Sequence, residues 1–298
     1  MGSVPSVIVV GSANIDQVFS VERIPAPGET VLSKGFSRAL GGKGQNQAVA
    51  AARAGAVTEF VGALGDDAFG REIRAGLTAD GIGIGLVRSV DAPTGTALIA
   101  VDGSGENTII VEAGANAQLV SLSPADAAAI AAADVLVMQL EIPLQTVTAA
   151  ASAAHQSGTA VVLNAAPIRD LPDELLATVD ILVVNEHEAA HLAATRPGVD
   201  LTDLVPTVIV TLGADGAVLY ERGGAETRVA APKVSAVDAT GAGDTFCGAF
   251  AAAICEGMPA AAALRFAVVA GSLSVEHHGA VPSIPSRGRI DERLVNEK

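Results

Sequence analysis

Basic residues are scarce in this chain: 18 Lys and Arg stand against 33 Asp and Glu, a formal charge of −15. Sequence-independent phosphate binding needs clustered cations, so a broad surface for nucleic acid or an anionic membrane is not expected. Any phosphate must be held locally. Cysteine is nearly absent. Cys247 and Cys255 lie eight positions apart in one expected helix, a spacing that suits neither a metal centre nor a disulfide framework, and both read as buried thiols. No run of 18 apolar residues occurs, and no charged segment followed by an apolar stretch opens the chain. Nothing therefore marks export or membrane spanning, and a cytoplasmic location is expected. Internal repeats and low-complexity linkers are missing too. Residues 1–6, MGSVPS, read as including a cloning remnant and carry no weight.

What is present is a large apolar supply: 298 residues, 50% of them hydrophobic, ample for a sizeable core. Short β-branched runs at 7–10, 134–138, 160–164, 180–185 and 207–213 alternate with Ala-rich segments of helical character. Continuous apolar strands are buried on both faces, which predicts a mostly parallel sheet covered by helices on each side: a three-layer αβα core of the Rossmann-like kind. Two stretches break the rhythm. Residues 15–39 and 94–111 each read as a strand pair joined by a Pro- or Gly-containing turn, PAPGE and GSGE, which suggests a small antiparallel sheet. The expectation is one domain, 1–298, in which segments 15–40 and 94–112 form a lid over an edge of the core. An ordinary edge hairpin is the alternative.

The segment DATGAGDTF, 238–246, follows the apolar run 234–237 and precedes an apolar series at helical spacing that stops at Gly257. It reads as strand, Gly-rich turn and helix. Gly241 and Gly243 permit a tight turn and remove side chains, so successive amides can converge on an anion at the positive end of the helix. Asp244 then stands where that anion would bind. A carboxylate there is wrong for binding a phosphate but right for taking a proton from an attacking hydroxyl, the logic of phosphoryl transfer to an alcohol. A first-turn Asp stabilised only by the helix dipole is the competing reading. A dinucleotide fingerprint fails because Phe246 stands where the third glycine is needed, and a Walker A loop fails because Ser37 and Gly44 break its pattern.

A second Gly-rich segment, GGKGQNQAVAAARAG at 41–55, opens a helix whose first turn carries Lys43, Asn46 and Gln47 while Ala48, Val49 and Ala52 face the core. Together, GGKGQNQ and DATGAGDTF resemble the two signatures of the ribokinase-like sugar kinases, also called the phosphofructokinase-B family. The resemblance runs along nearly the whole chain through GSANID, PGE, GDDAFG, GANA, MQLE, NEHE, TLGADG and HHGAVPS. It implies ATP-dependent phosphorylation of a sugar, with D-ribose at its 5-hydroxyl as the expected acceptor. It implies sugar contacts from Asn14, Asp16, Gly42, Lys43, Asn46, Glu141 and Asp244. Asp244 would be the base, with the amides of Gly241, Ala242 and Gly243 as the anion hole. Nucleotide contacts are implied for Asn185, Glu188, Thr211, Gly213, Ala214, Asp215, Gly216 and Gly243, with Glu188 associated with Mg²⁺ through water. A potassium site is implied from Asp238, Thr240, Ser274, His277, Gly279 and Ser283, although a Gly- and Pro-terminated surface loop would read the same way. His187 and His191 do not read as metal ligands. The family also implies a homodimer formed through the lid.

Two departures stand out. Only RPGVDLTDLVP separates the helix after NEHE from the strand at 207–213, so one covering helix is expected to be short or missing. Gln45 replaces a usually small residue and is expected at the pocket rim. Alternatives of function are a sister kinase for deoxyribose, another pentose, a ketose or a nucleoside, a non-catalytic sugar sensor, and more remotely a dehydrogenase.

Overall fold

The computed structural model describes residues 5–296; residues 1–4, most of the segment set aside above, lie outside them. The strands run in the order β1 (Ser6–Val10), β2 (Asn14–Ser20), β3 (Gly35–Gly41), β4 (Val57–Gly65), β5 (Gly83–Val90), β6 (Gly95–Val101), β7 (Asn107–Glu112), β8 (Val135–Met138), β9 (Ala160–Asn164), β10 (Ile181–Asn185), β11 (Thr207–Thr211), β12 (Ala217–Glu221) and β13 (Glu226–Val229). The helices are α1 (Lys43–Arg53), α2 (Ala68–Ala79), α3 (Pro124–Ala132), α4 (Leu144–Ser157), α5 (Asp173–Leu176), α6 (Glu186–Ala194), α7 (Leu201–Leu204), α8 (Ala242–Cys255), α9 (Ala260–Ser274), α10 (Ala280–Ser283) and α11 (Arg287–Asn296).

Among the described residues one sheet has nine strands in the order β13-β12-β11-β10-β9-β8-β1-β4-β5. From β11 to β5 every pairing is parallel; β12 and β13 add an antiparallel edge. The pleat splits β1 between two cores. Val7 and Val9 pack with α1, α2, α8, α9 and α11 on one face, and Ile8 and Val10 pack with α3, α4, α5 and α6 on the other. The three-layer αβα architecture follows from that two-sided burial.

Chain order reverses between β1 and β8: from β1 the sheet grows one way through β4 and β5, and from β8 the other way through β9, β10 and β11. Ligand crevices in open α/β sheets form beyond the carboxyl ends of strands at such a reversal. Residues 11–14 and 139–141 emerge there.

The second sheet has the order β3-β2-β6-β7. Each strand pair is antiparallel, as expected, but the two pairs join through a parallel β2–β6 ladder, Asn14 opposite Gly95 to Ser20 opposite Val101. The strand expected directly before α8 is not formed. Residues 230–237 carry no ladder and Val237 is exposed; the amides of Val237 and Asp238 donate to the Val275 carbonyl instead. The short crossover expected before β11 consists of nine-residue α6 followed by four-residue α7. Among the described residues no helix is long and apolar enough to cross a membrane.

Candidate active site

Helix α8 begins at Gly241, whose φ of 73° is left-handed. A Cβ there would lie 2.9 Å from the Ala280 Cβ, so only glycine both turns the chain and clears the α10 segment. The Ala242 amide, expected in the anion hole, instead donates to the Ala239 carbonyl at 3.2 Å. Ordinary turn closure has used it. Among the described residues, the amides of Gly243 and Asp244 have no acceptor, and first-turn amides face outward along the helix axis.

Asp244 is only 6% exposed. Its Oδ2 accepts from Asn46 Nδ2 at 2.9 Å and its Oδ1 from Gln47 Nε2 at 2.9 Å. Both donors sit in the first turns of α1, which starts at Gly42 (φ 88°), where a Cβ would meet the Asn14 amide nitrogen at 2.8 Å. Helices α1 and α8 approach closely because Gly248 has no side chain: a Cβ there would lie 2.3 Å from the Gln47 carbonyl oxygen. The sequence expectation gave Asn46 to the sugar. The structure gives its amide nitrogen to the carboxylate, while its Oδ1, buried and without a partner among the described residues, remains for a ligand.

A cleft of about 230 Å³ opens in front of Asp244 and is lined by Lys43, Asn185, Glu188, Thr211, Gly241 and Gly243. Lys43 and Asp244, expected on the sugar side, therefore share one cavity with nucleotide-side residues, whereas Asn14, Asp16, Gly42, Asn46 and Glu141 do not line it. Asn185 and Glu188 cap α6 reciprocally: Asn185 Oδ1 accepts from the Glu188 amide at 2.8 Å, and Glu188 Oε2 accepts from the Asn185 amide at 2.8 Å. Burial raises the Glu188 carboxyl above its ordinary value, although the Asn185 amide and Lys43 oppose it. Gly213, Ala214 and Asp215 form an exposed turn after β11 and do not line the cleft. Gly216 is buried at φ 93°, where a Cβ would strike the Val229 carbonyl oxygen at 2.0 Å.

On the opposite side, Glu141 Oε2 accepts from Ser12 Oγ at 2.5 Å and from the Lys43 amide at 3.0 Å. That junction spans the β1–β8 reversal. Asn14 is buried, and its Oδ1 accepts from Asn116 Nδ2 at 2.8 Å. Asp16, on β2, lies over Gly41, where a Cβ would come within 2.2 Å of its Oδ2. Burial, and then the charges of Glu141 and Asp244, push the Asp16 carboxyl up to about 6. Lys43 is held above its ordinary value by Asp244 first, against the opposing effect of burial, with Glu141 and Glu188 adding to the rise. One ammonium thus sits among three carboxylates.

Of the expected cation-site residues, Thr240 and Gly279 bond to Asp238. Its Oδ1 accepts from the Thr240 amide at 2.9 Å and its Oδ2 from the Gly279 amide at 2.8 Å. These bonds outweigh burial and leave the carboxyl below its usual range. Ser274 and Ser283 donate their hydroxyls to Gly271 and Ala280 carbonyls of their own helices, and His277 Nε2 lies 3.2 Å from Arg289 Nη1.

Gln45 is not at a rim. It is fully buried, and neither polar atom of its side chain has a partner among the described residues. Five residues hold the site without having been assigned a role from the sequence: Ser12, Asn116, Gln139, Asn164 and Gln47, the last named only as a polar residue at the start of α1. Ser12 and Asn116 sit inside the quoted segments GSANID and GANA, so proximity to a motif was the available signal. Cys247, buried one turn beyond Asp244, also reaches the cleft, and burial raises its thiol well above the ordinary range.

A Gly-opened helix mouth, a carboxylate inside it and a cleft beyond the carboxyl ends of β9, β10 and β11 suit phosphoryl transfer on an αβα fold. Residues 4–287 match the pfkB family of carbohydrate kinases, and the chain belongs to that family. It is 39% identical to the ribokinase of Schizosaccharomyces pombe over 96% of each chain, and 40% identical to that of Haemophilus influenzae over 96% of this chain and 97% of the other. The fold matches Arabidopsis thaliana ribokinase complexed with ribose and ATP at a TM-score of 0.90 and 37% identity, covering 97% of this chain and 98% of that one.

Proposed function

We propose that this chain is a ribokinase, transferring the γ-phosphoryl group of ATP to the 5-hydroxyl of D-ribose to give ribose 5-phosphate. The observation that carries the reading is Asp244: a buried carboxylate, fixed at both oxygens, beside two helix-mouth amides without an acceptor among the described residues, and open to a cleft shared with Lys43 and with the expected nucleotide contacts Asn185, Glu188, Thr211 and Gly243. The similarity to ribokinases over nearly the full length supports the choice of sugar.

In this reading the ribose diol donates to the carboxylate of Asp16, with Asn14, the Asn46 Oδ1, Gly42 and Glu141 completing the sugar pocket. Asp244 takes the proton of the attacking hydroxyl as the oxygen adds in line to the γ-phosphorus and the bond to the β-phosphate oxygen breaks. The Gly243 and Asp244 amides and Lys43 hold the charge that develops on the phosphoryl oxygens. Thr211, Asn185 and the turn 213–216 are the proposed nucleotide contacts.

Glu188 would hold Mg²⁺ through water; its Oε2 is engaged by its cap, and its burial on the cleft wall suits an indirect contact. Mg²⁺ would supply neutralisation of the phosphate charge. Asp238, the backbone carbonyls of Thr240, Ser274, His277 and Gly279, and Ser283 would hold potassium. Support comes from the two bonds by which Asp238 ties the 238–241 turn to residue 279, next to the mouth of α8. The second sheet would act as a lid that excludes water, the competing acceptor, and would pair two copies. A cytoplasmic setting fits use of ATP.

The test is a coupled ADP-release assay with D-ribose, 2-deoxyribose, other pentoses, ketoses and nucleosides. Ribose is expected to give the highest kcat/KM. Asp244→Asn is expected to lower kcat by about 10³-fold or more while ribose and ATP still bind in calorimetry. Undiminished kcat in that variant, or preference for a nucleoside, would refute the assignment.

A further inference from the structure

The carboxylate of Asp244 terminates a buried chain of side-chain amides that reaches from α8 across α1 to the far side of the sheet reversal. Gln47 Nε2 donates to Asp244 Oδ1 at 2.9 Å and to Asn164 Oδ1 at 3.2 Å. Gln47 Oε1 in turn accepts from Gln139 Nε2 at 2.6 Å. Asn164 Nδ2 donates to the Val183 backbone carbonyl at 3.3 Å. Gln47 and Gln139 are fully buried, and Asn164 nearly so. The β-sheet supplies two of the anchors: Gln139 follows β8 and Asn164 ends β9.

An amide has one donor end and one acceptor end, so such a chain has a direction. A carboxylate only accepts, which requires Gln47 to turn its NH₂ toward Asp244. Its carbonyl must then face Gln139, and Gln139 must answer with its own NH₂. At the second acceptor of Gln47, the Val183 carbonyl plays the same part: it claims the Asn164 NH₂ and leaves Asn164 Oδ1 to accept. Both ends of the network therefore agree on one orientation of Gln47. If Gln47 were turned over, its carbonyl would face both the Asp244 carboxylate and the Asn164 Oδ1, two repulsive contacts in a water-poor interior where unpaired polar groups are costly. Gln139, whose Oε1 has no partner among the described residues, follows the orientation those two acceptors set. Gly11 makes this possible, because a Cβ there would stand 2.0 Å from Gln139 Oε1.

We propose that Gln47 is a positioning residue for the phosphoryl-transfer base and that Gln139 acts through it, by holding the Gln47 carbonyl in place. The inference rests on the kinase reading given above. Asn46 fixes one carboxylate oxygen and also offers its Oδ1 to a ligand, whereas Gln47 has both of its polar atoms committed to protein partners. Its effect should therefore fall on the reaction step and not on sugar affinity. With Oδ1 pinned by Gln47 and Oδ2 by Asn46, the carboxylate cannot rotate away from the acceptor hydroxyl.

The experiment is a double-mutant cycle with Gln47→Met and Gln139→Met, substitutions that keep side-chain length and remove the amide. The ADP-release assay uses the sugar the wild-type enzyme prefers, and melting temperatures verify folding. Gln47→Met is expected to lower kcat by about 10²-fold with KM for sugar and ATP held within about threefold. Gln139→Met is expected to lower kcat by about tenfold, and the double variant to be no slower than Gln47→Met alone, because the second residue acts only through the first. Gln139→Glu, whose ionised side chain has no proton to give, is expected to be slower than Gln139→Met. A folded Gln47→Met enzyme with kcat within about twofold of wild type would overturn the proposal. So would losses that appear in KM instead of kcat, or strictly multiplicative losses in the double variant. A wild-type chain that phosphorylated no sugar in the panel would overturn the underlying kinase reading instead, before any variant was compared.

Discussion

Asp16 shows how a residue proposed to bind ligand can work against the fold that carries it. Its carboxyl is raised from 3.8 to about 6 by burial and by the neighbouring charges of Glu141 and Asp244. Between those two pH values the folded chain keeps a proton that the unfolded chain has released, so stability falls as pH rises through the window and stays lower above it. The gap corresponds to about 3 kcal/mol at about 1.4 kcal/mol per pH unit. Asp16→Asn removes that cost and is expected to raise unfolding stability by about 1–3 kcal/mol at pH 7.5 with no gain at pH 4, measured by urea titration at both. The same change removes the carboxylate proposed to accept both hydrogens of the ribose diol, so calorimetric ribose binding should be lost. In the unsubstituted protein, ribose KM is expected to rise roughly tenfold per unit below about pH 6, as the carboxylate is protonated. A ribose KM flat from pH 7.5 to 5 would remove Asp16 from the pocket. A role for Asp244 could be proposed from its own Gly-rich segment, with a dipole-stabilised first-turn Asp as the competing reading, whereas a role for Asp16 came only through the family resemblance of GSANID. Their partners were not legible: Asn46 donates to a residue 198 positions away, and no local pattern records such a pairing.

At the scale of elements, the site depends on how closely α1 and α8 cross. The bonds from Asn46 and Gln47 to Asp244 exist only because Gly248 lets the α1 backbone approach; a Cβ would meet the Gln47 carbonyl oxygen at 2.3 Å and the Ala50 Cβ at 2.5 Å. Backbone on one side and a core methyl on the other leave no flexible neighbour to yield. Gly248→Ala is therefore expected to cost about 1–3 kcal/mol in thermal or urea unfolding. By parting the helices, it should also lower kcat more than it raises either KM. An unchanged melting temperature would mean that the helices separate freely. Sequence periodicity made both helices legible, with α1 and α8 falling where Ala-rich spacing placed them. It failed where apolar runs are interrupted or isolated. Strands β4, VTEFVGALG, and β5, GIGLVRSV, mix charged residues and glycine into the core sheet and stood out less than the continuous runs of β1 or β10. Conversely, residues 234–237 look like a strand but find no neighbour to pair with. Their register is set by single bonds to Val275, which composition cannot reveal.

The whole molecule presents an unusual second sheet, apolar on both faces. Leu98, Ile110 and Phe36 share one face, while Ile109 and Val111 share the face that carries Asp16. All five are exposed, Ile110 at 63%. A four-stranded sheet that left so much hydrocarbon in water would be poorly stable and prone to association, and a cluster of this kind marks an interaction surface. The chain's strong net negative charge argues that the partner is not another large acidic surface meeting it at random, but a self-complementary apolar face can bury itself about a two-fold axis. Pairing through this sheet would also hold the strand that carries Asp16 over the cleft, which links assembly to sugar binding. Ile110→Glu, placed on the face away from Asp16, should convert a dimer into a monomer in size-exclusion chromatography with light scattering. The monomer should keep its far-UV circular dichroism, because Ile110 contributes little to either core. Its ribose KM should rise by about tenfold, the cost of holding an unsupported lid closed, while kcat at saturating ribose changes less. If the unsubstituted chain ran as a monomer at assay concentration, or if the variant stayed dimeric, the apolar sheet would need a different partner.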